Sequence, residues 1–527
     1  MKKVPLAAWW LATLSALLQW LPFPIAGPVP LWRRLFCWFC LVPLLFALLG
    51  KDRDGKPLST KSAACVGYLC GVLWYLGNCY WIYPTMHVYG ALPSPVAFVI
   101  LILFALYLGL YHALFGALIG WLRNRGSVQV ALFAVPFAWV ALELARARIT
   151  GFPWDLLGYT QIDNLALTRF APVTGVMGLS FLVAAINALW LARWRVRSGL
   201  LQRTIFLGTA VLVVLLTAAE ATWHPQPISA THRAVLLQDN LSVGAEAGPR
   251  ETREQLLDNL THLSQRTLAA AGKVDLIAWP EAPADFIDDD PAFRETLSSL
   301  AKSADAPVIA NSIAMQRNAA APELAKVYNA ASYFAADGSY QGRYDKMHLV
   351  PFGEYTPYKD LFFFAGHLLD NVGTFTPGAE QTLLHHDGQA IGVFICYESI
   401  FGTEVRELAK SGASVLLNLS DDGWYGDSSA PWEHLDMARM RAIENNRWLL
   451  RSTNTGVTTV IDPYGRMGAS LPRHQRGALV ASFGYVTGTT FYTRHGDWLG
   501  WLCVIVTLAI CAAFCWRRSA PQAEAVH

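Results

Sequence analysis

The sequence has little charge, and almost no cysteine in its polar part. Asp, Glu, Lys and Arg make up only 15% of the 527 residues, against 54% hydrophobic; this balance excludes an ordinary soluble chain and points to a membrane protein. The formal net charge of +2 decides nothing about partners. No Lys/Arg block and no zinc-ligand spacing of Cys and His occurs, so no nucleic-acid partner, metal or cofactor is expected. Internal repeats and low-complexity tracts are absent as well. Eight of the nine cysteines (Cys37, Cys40, Cys65, Cys70, Cys79, Cys503, Cys511 and Cys515) fall in long hydrophobic segments, where cysteine serves as a small buried apolar residue. Cys396 stands alone among polar-patterned residues, so it has no disulfide partner in its own domain. It ends the apolar run Ile391-Gly392-Val393-Phe394-Ile395 and precedes Tyr397-Glu398-Ser399. A strand-end cysteine beside a carboxylate is a candidate nucleophile.

A chain this long needs at least two folding units. Runs approaching the roughly 20 apolar residues that cross a bilayer core occur at 5–24, 31–50, 62–82, 94–122, 127–146, 173–192, 204–222 and 498–516. Lys2 and Lys3 before the first run also fit a signal peptide, although no clear small-residue cleavage site precedes the next run. The expected fold class is a multi-span α-helical membrane domain, about eight transmembrane helices in all, plus an α/β domain. The divisions are 1–222 with seven spans, 223–496, and 497–527 with the eighth span and a short tail. Lys51, Arg53, Lys56, Lys61, Arg123, Arg125, Arg193, Arg195, Arg197, Arg203, Arg517 and Arg518 collect with Lys2 and Lys3 on one side by loop parity. By the positive-inside rule both termini are expected inside and the large domain outside. Arg33, Arg34 and Arg169 dissent.

The segment 148–172 is too polar to span yet holds Phe152, Trp154, Leu156, Leu157 and Tyr159, which reads as an interfacial loop on the outer surface. Glu143 and Arg146 lie one helical turn apart at the end of the fifth span. They read either as an ion pair that stabilises the helix end or as part of a substrate cleft.

In the outer domain, short apolar runs at 234–237, 276–279, 308–310, 391–396, 415–419, 449–453 and 457–461 suit buried strands. Helical patterns lie between them at 251–271, 291–304, 403–410 and 431–446, so a layered α/β core is expected. The strands at 449–461 follow too closely for a parallel crossover and predict a mixed sheet. Three strand ends carry reactive groups: Trp279-Pro280-Glu281, Tyr344-Asp345-Lys346 with Glu354 eight residues on, and Ile395-Cys396-Tyr397-Glu398. An acid, a cation and a thiol suit covalent acyl transfer, supplying a base, an oxyanion stabiliser and a nucleophile.

This order of Glu281, Lys346 and Cys396 resembles the nitrilase superfamily, which implies an αββα sandwich with these three as the catalytic triad. With the membrane spans included, the chain resembles the apolipoprotein N-acyltransferase family. The matching runs are Trp279-Pro280-Glu281, His348 to Tyr355, Gly423-Trp424-Tyr425-Gly426-Asp427-Ser428, Met437 to Ala442, Arg451 to Gly456 and Thr150-Gly151-Phe152-Pro153-Trp154. One departure is the family's tryptophan after Gln238-Asp239-Asn240, which is absent from 241–260. The resemblance implies a bacterial inner-membrane enzyme with its catalytic domain periplasmic. Its acyl donor would be a phospholipid, its acceptor the N-terminal diacylated cysteine of an apolipoprotein, its setting the lipid bilayer and its state a monomer.

Glu354, Tyr397 and Glu398 are expected in support, orienting the lysine and nucleophile and shaping the oxyanion site, or else as structural hydrogen bonds at the strand ends. His348 is expected to be structural. Leu361-Phe362-Phe363-Phe364-Ala365-Gly366 has no polar side chain and reads as an arm that touches the membrane, with packed core as the other reading. Trp424, Tyr425, Pro431 and Trp432 are expected in a second loop over Cys396. A membrane-tethered amidase with water as acceptor uses the same triad, but a tether needs only one span. A scaffold on an inactive nitrilase fold conflicts with the intact triad, and no inverted repeat supports a transporter.

Overall fold

A computed structural model of the chain describes residues 4–192, 199–244, 251–281, 286–316, 325–355 and 374–516. The chain divides into two compact units. One comprises Met1–Tyr80, Phe98–His224 and Asp497–His527, and the other Trp81–Ala97 and Pro225–Gly496. The second unit therefore takes in a short piece from within the range 1–222.

The first unit is helical. Among the described residues five helical segments have the length and hydropathy to cross a membrane: Leu31–Leu48, Ser94–Arg125, Val128–Thr150, Gly199–Thr222 and Trp498–Trp516. A sixth arises if Thr60–Asn78 and Ile82–Tyr89, bent by 58°, form one span. Leu6–Trp20 and Val176–Ala192 are apolar but shorter. All eight expected segments are thus helical, and five or six of them reach spanning length. Ser59 and Ser127 cap their helices by accepting from Ser62 N and Val130 N, which satisfies amides that the first turn leaves unpaired. Thr60–Asn78 and Ser94–Arg125 approach closely enough that a Cβ on Gly67 would lie 2.3 Å from the carbonyl oxygen of His112. Close helix contact in a membrane depends on such small residues.

The dissenting arginines are all engaged. Arg34 pairs with Asp163 at 2.7 Å and Glu220 at 2.9 Å, Arg33 donates to the carbonyls of Leu21 and Phe23, and Arg169 lies over the Trp223 ring. Local partners fix these charges, so the side-of-membrane statistic does not govern them. The interfacial reading of 148–172 is corrected, because Phe152, Trp154, Leu156, Leu157 and Tyr159 are all buried. Glu143 Oε1 accepts from Leu157 N at 2.7 Å and Trp139 Nε1 at 3.0 Å, while the Arg146 guanidinium lies over the Trp74 and Tyr75 rings. These two residues thus hold the segment and its aromatic neighbours, and both line one cavity with Trp74, Tyr75 and His112.

The second unit is a sandwich of two six-stranded sheets. The first runs β12(Gly477–Phe483)-β1(His232–Gln238)-β2(Leu276–Trp279)-β3(Val308–Gln316)-β4(Lys326–Phe334)-β5(Tyr340–Asp345). The second runs β11(Met467–Ser470)-β10(Thr459–Ile461)-β9(Leu449–Thr453)-β8(Val415–Ser420)-β7(Gln389–Ile395)-β6(Leu383–His386). β1-β2-β3 and β7-β8-β9 are parallel and their flanks antiparallel; β9 and β10 pair antiparallel as expected. Ser452 Oγ on β9 donates across the sandwich to the carbonyl of Leu237 on β1 at 2.7 Å. Arg253–Ala271 and Pro291–Ala304 cover the first sheet, burying Leu256, Leu260, Phe293 and Leu297 with Val235, Ile277 and Val308. Gly402–Lys410 and Ala430–Asn445 cover the second through Val405, Leu408, Leu435 and Ala438. The order is αββα.

Candidate active site

Parallel strands joined by helical crossovers end at one edge, and ligand sites of α/β sheets lie beyond such edges. Glu281 follows β2 after Pro280, Cys396 follows β7, and Lys346 follows the antiparallel β5. The Lys346 side chain is 1% exposed, its Nζ 2.9 Å from Glu354 Oε1 and 3.3 Å from Glu281 Oε1. Asn329 on β4 donates from Nδ2 to the same two carboxylate oxygens, at 2.7 Å to Glu281 and 2.8 Å to Glu354. Asp421 N donates to Glu281 Oε2 at 3.0 Å. Burial alone would lower the Lys346 ammonium, but the charges of Glu281 and Glu354 raise it well above the usual lysine range. Lysine is therefore a fixed cation here.

Cys396 is buried, with φ at +49°. A left-handed backbone is costly for a residue with a Cβ and persists where the surroundings impose it. Burial pushes its thiol well above the usual range, Glu281 pushes it further, and Lys346 opposes both. Carboxylate and cation thus act on the sulfur in opposite directions, with desolvation the larger effect.

The Glu398 carboxylate ties the cysteine turn to the lysine strand. Its Oε2 accepts from Ile395 N at 2.6 Å, and its Oε1 accepts from Met347 N at 2.7 Å, His348 N at 3.1 Å and the Tyr344 hydroxyl at 2.7 Å. Burial raises this carboxyl to about 7, against the Ile395 amide and Tyr344 hydroxyl, which lower it. An acid raised in the folded state contributes stability below its unfolded pKa of about 4.3, and this is lost as pH rises through about 7. Glu398→Gln is expected to remove that decline between pH 4.5 and 7. It should also cost about 1–3 kcal/mol, because the amide's NH2 meets donors that need an acceptor. Chemical denaturation at several pH values measures both.

Tyr397 is buried, with its ring edge-on to Phe401. The expected loop over Cys396 is divided, and Pro431 and Trp432 belong instead to the first turn of the Ala430–Asn445 helix, where Trp432 packs on the core of the second sheet. Tyr425 is buried against Trp81 at 5.2 Å, whereas Trp424 is 43% exposed. Phe362, Phe363 and Phe364 lie outside the described residues. His348 stacks on Phe401 and pairs through Nδ1 with Glu404 Oε1 at 2.9 Å. Asn329, Asp422 and His434 are absent from the sequence reading. Asn329 sits mid-strand in a run with no reactive pattern, Asp422 immediately precedes the Gly423–Ser428 run, and His434 lies within the helical pattern 431–446 with no reactive group beside it in sequence. No group of three or more His, Cys, Asp or Glu able to hold a metal occurs among the described residues. A thiol, a buried cation and an acid held in one cluster can perform nucleophilic acyl transfer.

Comparison with known proteins agrees with this chemistry. Residues 15–189 match the Apolipoprotein N-acyltransferase N-terminal domain model, and residues 242–486 match Carbon-nitrogen hydrolase. An Apolipoprotein N-acyltransferase of Geobacter metallireducens is 34% identical over 98% of this chain and 96% of its own. The chain belongs to the apolipoprotein N-acyltransferase family. The family relative from Methylococcus capsulatus is 36% identical, covering 88% of this chain and 89% of its own. Nit3 of Saccharomyces cerevisiae, a nitrilase-superfamily protein of known structure, is similar over 50% of this chain and 93% of its own, with 18% identity and a TM-score of 0.38. Membership of the family makes the chain an acyltransferase of the carbon-nitrogen hydrolase superfamily and, with its apolar helices, a bacterial membrane protein.

Proposed function

We propose that this enzyme moves a fatty acyl chain from a membrane phospholipid to the α-amino group of the N-terminal diacylglyceryl-cysteine of apolipoproteins, through a thioester on Cys396. The buried cluster of Glu281, Lys346 and Cys396 in a chain of this family carries the reading. Glu281 takes the thiol proton as sulfur attacks the ester carbonyl, and it returns that proton to the departing lysophospholipid oxygen. Lys346 and the Tyr397 N–H stabilise the tetrahedral oxyanion. The lipoprotein amine then attacks the thioester. Glu281 accepts the amine proton and passes it to the released thiolate, leaving an amide and the free thiol. Glu354 positions Lys346, and Glu398 positions the cysteine turn.

In this proposal the units are 1–222, 223–496 and 497–527, both termini are cytoplasmic, the catalytic domain is periplasmic and the protein is a monomer. Supporting the orientation is the alternation of Lys and Arg among the connecting loops.

Incubation with acyl-labelled phosphatidylethanolamine is expected to leave a hydroxylamine-labile label on the protein, and a diacylated lipopeptide should discharge it into an amide. Release as free fatty acid alone would support the amidase-like reading with water as acceptor. Substituting serine for Phe362, Phe363 and Phe364 is expected to slow acylation from bilayer phospholipid at least about tenfold, since each phenyl ring contributes roughly 1.5–3 kcal/mol when buried in an apolar medium. Thermal unfolding should be unchanged; its collapse would assign the segment to packed core.

A further inference from the structure

Behind the cysteine turn lies a buried charged network that the proposed chemistry does not use. His434, on the Ala430–Asn445 helix, places Nε2 3.0 Å from the Cys396 carbonyl oxygen and 2.6 Å from Ser399 Oγ. Its Nδ1 lies 2.8 Å from Asp422 Oδ1 and 3.2 Å from Arg451 Nη2. Arg451 Nη2 donates to Asp422 Oδ2 at 2.7 Å, and its Nη1 bonds Asn418. His434, Asp422, Arg451 and Ser399 are all fully buried. Burial alone would raise the Asp422 carboxyl, but Arg451 and His434 hold it well below the usual carboxylate range. Desolvating such ions costs several kcal/mol each, and apolar residues of similar volume often stabilise a core as well or better. Packing therefore does not account for the network.

Its geometry does. A carbonyl oxygen can only accept, so His434 Nε2 meets that of Cys396 as an N–H donor. The Nε2–H bond pins the carbonyl of a residue whose φ of +49° is unfavourable when unsupported. In a planar trans peptide the carbonyl and the following N–H point in opposite directions. Fixing the Cys396 carbonyl toward His434 therefore aims the Tyr397 N–H the other way, out of the network. Donation into the carbonyl also polarises that amide and strengthens its N–H as a donor.

We propose that His434 is a positioning residue, tying the Cys396 carbonyl to the Asp422–Arg451 pair and so holding the Tyr397 N–H as an oxyanion donor. This rests on the thioester reading above, whose own failure would appear as wild-type protein that takes no acyl label. The test compares two reactions of Cys396 in the full-length protein. Acylation by phosphatidylethanolamine needs the oxyanion donor, whereas alkylation by iodoacetamide needs only the sulfur. In His434→Ala the acylation rate at saturating lipid is expected to fall about 10- to 100-fold, somewhat less than deleting a donor outright, with KM nearly unchanged. Alkylation should stay within about threefold, and His434→Gln, which keeps an N–H donor, should recover most of the loss. Ser399→Ala, which leaves Nε2–H to the carbonyl alone, should acylate within about threefold of wild type. Equal loss of alkylation and acylation, an unchanged acylation rate, or a Ser399→Ala loss matching His434→Ala would each overturn the proposal. So would failure of both His434 variants to fold, which would make the network structural.

Discussion

Cys396→Ala is expected to take no hydroxylamine-labile label from phosphatidylethanolamine and to lose at least about 10,000-fold in acyl transfer, the scale seen when a nucleophile is removed from a catalytic unit. The two-step route depends on sulfur twice, as attacking group and as a leaving group that an amine displaces readily. Neither neighbouring tyrosine is placed to take over. Tyr397 and Tyr425 are buried, and their hydroxyls are held above the usual phenol range, first by burial. Folding should survive the change, since it removes one sulfur atom and leaves the left-handed turn braced by Glu398 and His434. The expected melting temperature is within a few degrees of wild type, a shift worth about 1 kcal/mol. Label retained by the alanine variant would mean that another group is the nucleophile.

How far the sequence reveals this arrangement depends on which physical signal each part leaves. The Glu281 and Cys396 strand ends are legible because an apolar run followed by a reactive side chain is a local pattern, and β2 and β7 deliver them as it implies; β5 is the polar run Tyr340–Asp345, so Lys346 stands out only through the His348-to-Tyr355 run that follows it. Strands that alternate polar residues or lie at an edge leave less trace. β11 is exposed along its length, and β4 carries Asn329 and Ser332; neither is read from the sequence. Asn329 illustrates the limit. It bonds both carboxylates at the lysine because β4 lies beside β5 in the sheet, and this adjacency is set by pairing across the sheet rather than by nearby sequence. The same holds for His434, which meets the Cys396 carbonyl only because its helix packs over the second sheet. The 148–172 segment misleads in the opposite way. Its aromatic and polar mixture is typical of a membrane interface, but Glu143, Ser180 and Asn78 supply partners to Leu157, Gly158 and Asp155 and allow the segment to be buried.

Lys346→Met is expected to affect both rate and stability, by separate routes. The rate should fall about 100- to 1,000-fold through loss of an oxyanion-stabilising cation. Stability should fall by about 3–5 kcal/mol, because removing one partner of a buried pair leaves Glu281 and Glu354 facing each other with Asn329 between them. The lysine also opposes the upward push of burial and Glu281 on the Cys396 thiol. Its removal should therefore move the pH profile of iodoacetamide alkylation to higher pH. Wild type should lose no stability from Lys346 across pH 6 to 9, since the ammonium is held above the usual lysine range and its contribution is lost only as pH rises beyond it. Lys346→Met,Glu354→Gln removes the like-charge contact and should regain about half of the lost stability while leaving the rate low. That separation assigns the stability loss to carboxylate repulsion and the rate loss to the absent cation; recovery of both together would place Lys346 in the fold alone.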